Sequence, residues 1–144
     1  MTLAASPKYD EVSVGDALPA RTYAARRLDL VKYCGASGDF NVIHWSDRLA
    51  RAVGLPGVIA HGMYTMAQAG KFVAEWAGDP GAVVSFGVRF SAMVPVPDDD
   101  AGAAIEVSGT VKEKLDGNQV AVDLVATSGG EKVLSRSRAV VRLP

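Results

Sequence analysis

The chain has 144 residues, about half of them apolar, and its 15 basic and 16 acidic side chains nearly cancel. That length suits one domain over residues 1–144, with enough apolar material for a sizeable core. The charge balance argues against a nucleic-acid interface built on a basic stripe and against an electrostatic membrane anchor. The opening "MTLAASPKYDEV" lacks the basic-then-apolar pattern of a signal peptide. No apolar run approaches the ~20 residues that span a bilayer. Cys34 is the lone cysteine, so no internal disulfide forms. Together these features predict a cytoplasmic protein.

Residues 1–20 read as an irregular arm, with turn chemistry at Gly15-Asp16 and a stop at Pro19, and "RTYAA" follows as a short strand. From Arg27 the pattern turns helical. Leu28, Val31, Tyr33 and Cys34 fall on one face, and glycines end the helix. Cys34 reads as a small buried hydrophobe rather than a nucleophile. The stretch "GASGDFNVIHWSD", Gly35 to Asp47, is then an ordered polar loop. "SDRLARAVG" is a second short helix, with Ser46 as N-cap and Gly54 as stop. "LPGVIAHG" leads into the longest helix, Met63 to Ala77, which is apolar or small around most of its circumference. Such a helix is buried rather than laid on a surface. "GDPG" ends it. Four long strands follow as a meander: "AVVSFGVRFSAMV", "AIEVSGTVKEKL", "QVAVDLVATS" and "EKVLSRSRAVVRL". Pro95 and Pro97 separate the first two, "DGN" makes a hairpin between the second and third, and Gly129-Gly130 turns the chain again. The acidic run Asp98–Asp100 reads as a solvated loop. The order predicts an α+β fold, an antiparallel sheet wrapped around a long central helix. One sheet cannot enclose a helix, so a second subunit is expected on the open flank.

The polar loop carries the chemistry. Gly38 and Ser37 permit a tight bend, and across it Asp39 and His44 can converge on one small volume. A carboxylate and an imidazole sharing one water or hydroxyl make a general acid–base pair, and Asn41 can orient that water or a substrate. Each of these residues taken singly also has a plain reading, as a turn-builder or a satisfied core histidine. A second polar feature, "AHGM", lies where a loop becomes the long helix. The free N–H groups there, at the positive end of the helix dipole and unobstructed at Gly62, suit an oxyanion such as the enolate of a thioester. His61 has two readings, catalytic group or structural hydrogen-bonder. An acid–base pair with an oxyanion hole points to elimination or addition beside a carbonyl.

"YCGASGDFNVIHWSD" resembles the motif of the MaoC-like (R)-specific enoyl hydratases and dehydratases, Tyr-x-x-x-Ser-Gly-Asp-x-Asn-Pro-hydrophobic-His, and "VIAHGMYTM" is similar to their second signature. The likeness runs on through "WAGDPGAVVSFGVRF" and "VPVP", and within the family it is nearest the B subunit of actinobacterial (3R)-hydroxyacyl-ACP dehydratases. Val42 stands where the family motif has proline, which bears on the stiffness of the loop. The resemblance implies a hot-dog fold, a dimer with a continuous sheet, and reversible dehydration of (3R)-hydroxyacyl thioesters to trans-2-enoyl thioesters. It implies no cofactor and no metal. By position it makes Asp39 and His44 the catalytic pair, with Asn41 in support, the Gly62 N–H on the thioester carbonyl and Ser37 in the motif. The expected substrate is an acyl-ACP of fatty-acid elongation, with an acyl-CoA and a stand-alone (R)-specific enoyl-CoA hydratase as the alternative. A non-catalytic acyl-binding hot-dog subunit is the reading of a different class, and the intact Asp39/His44 pair argues against it. The expected assembly is a homodimer or a heterodimer with an A-type hot-dog subunit. Lys8, Arg26, Arg27 and Lys71 are the candidates for reading the carrier.

Overall fold

The computed structural model describes residues 6–144. The part of the predicted arm over residues 1–5 lies outside them. Strand β1 (Ala17–Ala25) leads to helix α1 (Arg27–Ser37), and after a 3₁₀ turn (Val42–His44) comes helix α2 (Asp47–Ala52). Helix α3 (Gly62–Ala77) precedes β2 (Val83–Phe90), β3 (Ala103–Leu115), β4 (Gln119–Ser128) and β5 (Glu131–Arg142). All strands join one antiparallel sheet of order β1-β3-β4-β5-β2.

The sheet is built by alternation and turn chemistry. Ile105, Val107 and Val111 of β3 and Ala139, Val141 and Leu143 at the end of the chain are buried, with more exposed neighbours between them. The β3–β4 turn puts Gly117 at φ 71° and Asn118 at φ 55°, a left-handed pair that glycine and asparagine adopt most readily. Helix α3 lays Thr65, Ala69, Phe72, Val73 and Ala77 against the sheet, a spacing that keeps one stripe inward. Burying a side chain such as Phe72 contributes roughly 1.5–3 kcal/mol, and Gly78 ends the helix in the left-handed conformation at φ 73°. At Gly70 an added β-carbon would stand 3.3 Å from the Phe86 ring, so the small side there admits β2 closely. This is the helix-in-sheet arrangement of a hot-dog fold, as expected.

Three local expectations need correction. Pro19 does not stop the chain before β1. It lies inside that strand, where the register against β3 is irregular between Leu18 and Arg21. β1 is an edge strand, and an edge bulge is where a residue lacking an N–H fits. The face chosen for α1 is also wrong: Leu30 and Cys34 are buried, while Leu28 and Val31 face solvent. The apolar residues of α1 fall on both sides, and packing against α3 and its approach loop selects one of them. The strands, finally, are not a simple meander. Only β3, β4 and β5 follow one another, and β2 crosses to pair with β5.

Other expectations are met. Ser46 caps α2 by accepting from the Leu49 N–H. Gly38 closes α1 at φ 76°, although the helix runs through Gly35. Asp99 Oδ1 accepts from Ala101 and Gly102 N–H in the exposed acidic bend. No helix of the described residues is long and apolar enough to cross a membrane.

Candidate active site

The loop after α1 is held by its own short polar side chains. The Ser37 hydroxyl donates to the Tyr33 carbonyl at 2.7 Å and accepts from the Asp39 N–H at 3.1 Å. Asp39 Oδ1 accepts from the Asn41 N–H at 3.1 Å. Asn41 Oδ1 caps the 3₁₀ turn by accepting from the Ile43 N–H at 3.3 Å. These are the local bonds that favour turns over helix or strand for such residues. Ser37 and Asn41 thus shape the loop, and neither lines the cavity described below.

The same bonds deliver Asp39 to His44. His44 Nε2 stands 4.0 Å from Asp39 Oδ2. His44 Nδ1 lies 2.8 Å from the Ile59 carbonyl oxygen. That oxygen can only accept, so Nδ1 carries a proton and Nε2 is the nitrogen turned toward Asp39. A gap of this size admits one oxygen at hydrogen-bonding distance of about 2.8 Å from both groups. His44 is buried, whereas the Asp39 side chain is 52% exposed, which leaves the carboxylate on the solvent side of the pair. Ile59 is fixed in turn by its N–H on the Ile43 carbonyl, and the flanking Ala60 N–H donates to the Val94 carbonyl.

His44 opens on a cavity of about 360 Å³ lined by Ile43, Ile59, Gly62, Thr65, Phe90 and Met93 among others. Gly62 is the first residue of α3, where N–H groups have no acceptor within the helix and sit at its positive end. The structure therefore brings His44 and Gly62 onto one cavity with Asp39 beside it. Thr65, Phe90 and Met93 were not anticipated. Thr65 had a signal, being a polar residue on the buried face of an apolar helix. Phe90 and Met93 have none, because the end of β2 and the loop after it reach the site through long-range pairing, of β2 with β5 and of Ile59 with Pro95.

His61, which the sequence leaves open as catalytic group or structural hydrogen-bonder, lies under the pair. It is 2% exposed, its ring stacks on His44 with centroids 3.8 Å apart and planes at 22°, and Tyr33 meets it edge-on at 4.6 Å. Its Nε2 is 3.2 Å from the Asp39 carbonyl oxygen and 3.6 Å from Cys34 Sγ. Its Nδ1 is buried without a hydrogen-bond partner among the described residues. Burial holds the His61 pKa down, the charge of His44 adds to this, and the bond to the Asp39 carbonyl opposes it. Burial first, then the Asp39 charge, pushes the Cys34 thiol up, in keeping with an inert side chain. Asp39, His44 and His61 have ligand atoms within 4.8 Å of one another. The two stacked rings lie in near-parallel planes, so their lone pairs do not converge, and the arrangement suits proton transfer better than chelation.

The candidate carrier-reading cations are largely engaged within the chain. Arg27 grips Asp47 at 2.9 Å and the Val96 carbonyl at 2.7 Å. Lys71 lies 3.8 Å from Glu75, and Lys8 3.8 Å from Glu11. At Arg26 it is the backbone N–H that is bonded, to Asp29 Oδ2, and the guanidinium makes no ion pair among the described residues.

Comparison with known proteins sets this site in context. The family described as "MaoC like domain" matches residues 10–129. A solved structure described as a MaoC-like dehydratase is 41% identical, with a TM-score of 0.92 over 96% of this chain and 43% of its own. The unliganded R-hydratase PhaJ1 from Pseudomonas aeruginosa is 25% identical, with a TM-score of 0.82 over 94% of this chain and 85% of its own. The fatty acid synthase beta subunit TOXC of Cochliobolus carbonum is 32% identical over 71% of this chain, and the fatty acid synthase subunit beta of Aspergillus oryzae 43% identical over 46%. The chain spans only 5% and 3% of the length of those two relatives.

Proposed function

The chain belongs to the MaoC-like domain family, and from that premise we propose that it is a hydro-lyase interconverting (3R)-hydroxyacyl and trans-2-enoyl thioesters. The observation that carries this reading is the 4.0 Å approach of Asp39 to the buried His44, beside a cavity that also holds the start of α3. In hydration the pair begins as carboxylate and imidazolium with one water between them. The water attacks C3 of the enoyl group and gives a proton to Asp39, while His44 Nε2–H protonates C2. In dehydration the steps reverse. His44 Nε2 takes the α-proton, Asp39 as the acid protonates the departing hydroxyl, and water leaves. The Ile59 carbonyl supports the imidazolium through Nδ1–H. The Gly62 N–H holds the thioester oxygen as it becomes an enolate. Ser37 and Asn41 act by holding the loop.

Likeness to fatty acid synthase beta subunits favours a substrate of fatty-acid elongation carried on ACP. Likeness to an R-hydratase favours the second reading, a stand-alone enoyl-CoA hydratase. A dimer seam along β2 is part of the proposal, because Val84 and Phe90 of that strand are exposed, as are Met63 and Met93 near the cavity. The partner is a second copy or a related A-type subunit.

The test is loss of enoyl absorbance with crotonyl-CoA and with longer enoyl-CoA and enoyl-ACP, on the light-scattering-defined assembly. Asp39→Asn and His44→Ala are each expected to lower kcat by at least ~10²-fold with the fold intact. A folded variant of either kind that keeps most of its activity removes the assignment.

A further inference from the structure

We infer that His61 is a positioning residue that clamps the Asp39 loop to the His44 ring, an inference that rests on the hydro-lyase reading of the pair. The geometry is specific. The Asp39 carbonyl oxygen can only accept, so His61 Nε2 carries the proton and donates to it across 3.2 Å. That bond fixes the backbone from which the Asp39 carboxylate projects toward His44. The face of the same ring lies 3.8 Å from the His44 ring. One side chain at the mouth of α3 therefore touches both partners, from beneath and through different atoms. His44 is then held from two directions, in its plane by the Ile59 carbonyl and on its face by His61.

The cost of the arrangement points the same way. With Nε2 protonated, Nδ1 keeps a bare lone pair, and that atom is buried with no donor among the described residues. A leucine or methionine would fill the space with no orphaned atom, and buried unpaired polar groups are rare enough to need a reason. The surroundings also keep the ring uncharged. It is packed by Cys34 and Tyr33 of α1, Asp39 of the loop, His44 of the 3₁₀ turn and apolar core. A neutral ring supports His44 when that residue becomes imidazolium, whereas a charged one would oppose it.

The clamp predicts an ordered Asp39 loop, and amide hydrogen exchange across residues 38–41, followed by NMR, reports that order without turnover. His61→Phe keeps an aromatic face but loses the donor. His61→Gln loses the face but keeps an amide N–H near the position of Nε2. In His61→Phe, release of the Asp39 carbonyl is expected to speed amide hydrogen exchange across residues 38–41 at least ~3-fold, because a bond that holds the loop closed is lost. In the same variant kcat is expected to fall at least ~10-fold with KM changed less than ~3-fold, since small misplacements of reacting groups cost up to ~10²-fold. His61→Gln is expected to restore most of both. Should His61→Phe not fold, His61→Asn, whose shorter amide does not reach the Asp39 carbonyl, takes its place. Unchanged loop exchange in a folded donor-less variant overturns the inference, as does lost activity that His61→Gln fails to rescue. An inactive wild-type chain with the exchange difference intact overturns the hydro-lyase reading and leaves the clamp standing.

Discussion

Gly62 offers a perturbation in which stability and activity are expected to move in opposite directions. A β-carbon built there stands 3.2, 3.3 and 3.4 Å from three atoms of the Phe90 ring, a few tenths of an ångström inside the usual contact of about 3.5–4.0 Å. Phe90 is 51% exposed and sits at the end of an edge strand, so its ring can yield toward solvent. Alanine is a better helix former than glycine by up to about 1 kcal/mol. Gly62→Ala is therefore expected to fold, with a melting temperature raised by at most about 2–4 °C. Gly62→Val differs, because its γ-carbons extend past the Phe90 contact into the 360 Å³ cavity shared with His44 and Thr65. They would occupy the space above the helix N–H groups proposed to hold the thioester oxygen. Losing an oxyanion donor costs about 10²–10³-fold in kcat, and that is the loss expected for the valine variant. The assay is decay of enoyl absorbance on a short thioester, beside a thermal melt. A folded Gly62→Val enzyme within ~3-fold of wild type would show that the carbonyl sits elsewhere, since an obstructed donor cannot lose so little.

Two further outcomes test the loop and the core. Val42→Pro is expected to be tolerated and to stabilise by ~0.4–1 kcal/mol: Asn41 already has the extended ψ of 128° that precedes proline, and the Val42 N–H donates to nothing among the described residues. A strong drop in melting temperature would mean that the loop does not follow this path. Glu75 of α3 is buried and accepts from Arg21 and from the Tyr23 hydroxyl, each at 2.7 Å. Burial raises its carboxyl pKa, but those hydrogen bonds and the charges of Arg21 and Lys71 outweigh this and hold it below the usual 4.5. A depressed carboxyl stabilises the fold above that value and loses its contribution as pH falls through the folded-state pKa. Glu75→Gln is thus expected to cost about 1–3 kcal/mol at pH 7, with the melts of the two proteins converging under acid. A constant difference across that range refutes the assignment.

Much of this molecule was legible locally. Ser46, the Gly117-Asn118 turn and the alternation of β4 act through neighbours in sequence, and the strands they bound lie where their residues put them. Asp39 and His44 were legible for the same reason, because the bend that joins them is made by the residues between. What escaped reading was decided at a distance. Nothing in "VVSFGVRF" says that it pairs with β5 rather than β3. The apolar residues on both sides of α1 do not say which side the core takes. His61 looked ambiguous because its importance lies in touching two other elements, and short-range patterns carry no such information.

The two ends of the sheet are not alike. Both edge ladders are irregular, β1 near Pro19 and β2 at Val83/Ser85 and Gly87/Arg89, but only β1 holds a proline, which has no donor to offer an incoming strand. A sheet with two open edges can lengthen from both, and that is the geometry of fibres. A sheet with one closed edge has a valence of one. Addition of a strand at β2 would use up that valence, and growth by edge-to-edge addition would then end after a single partner. Removing Pro19 would alter the stoichiometry such a chain can reach before it altered anything at the cavity.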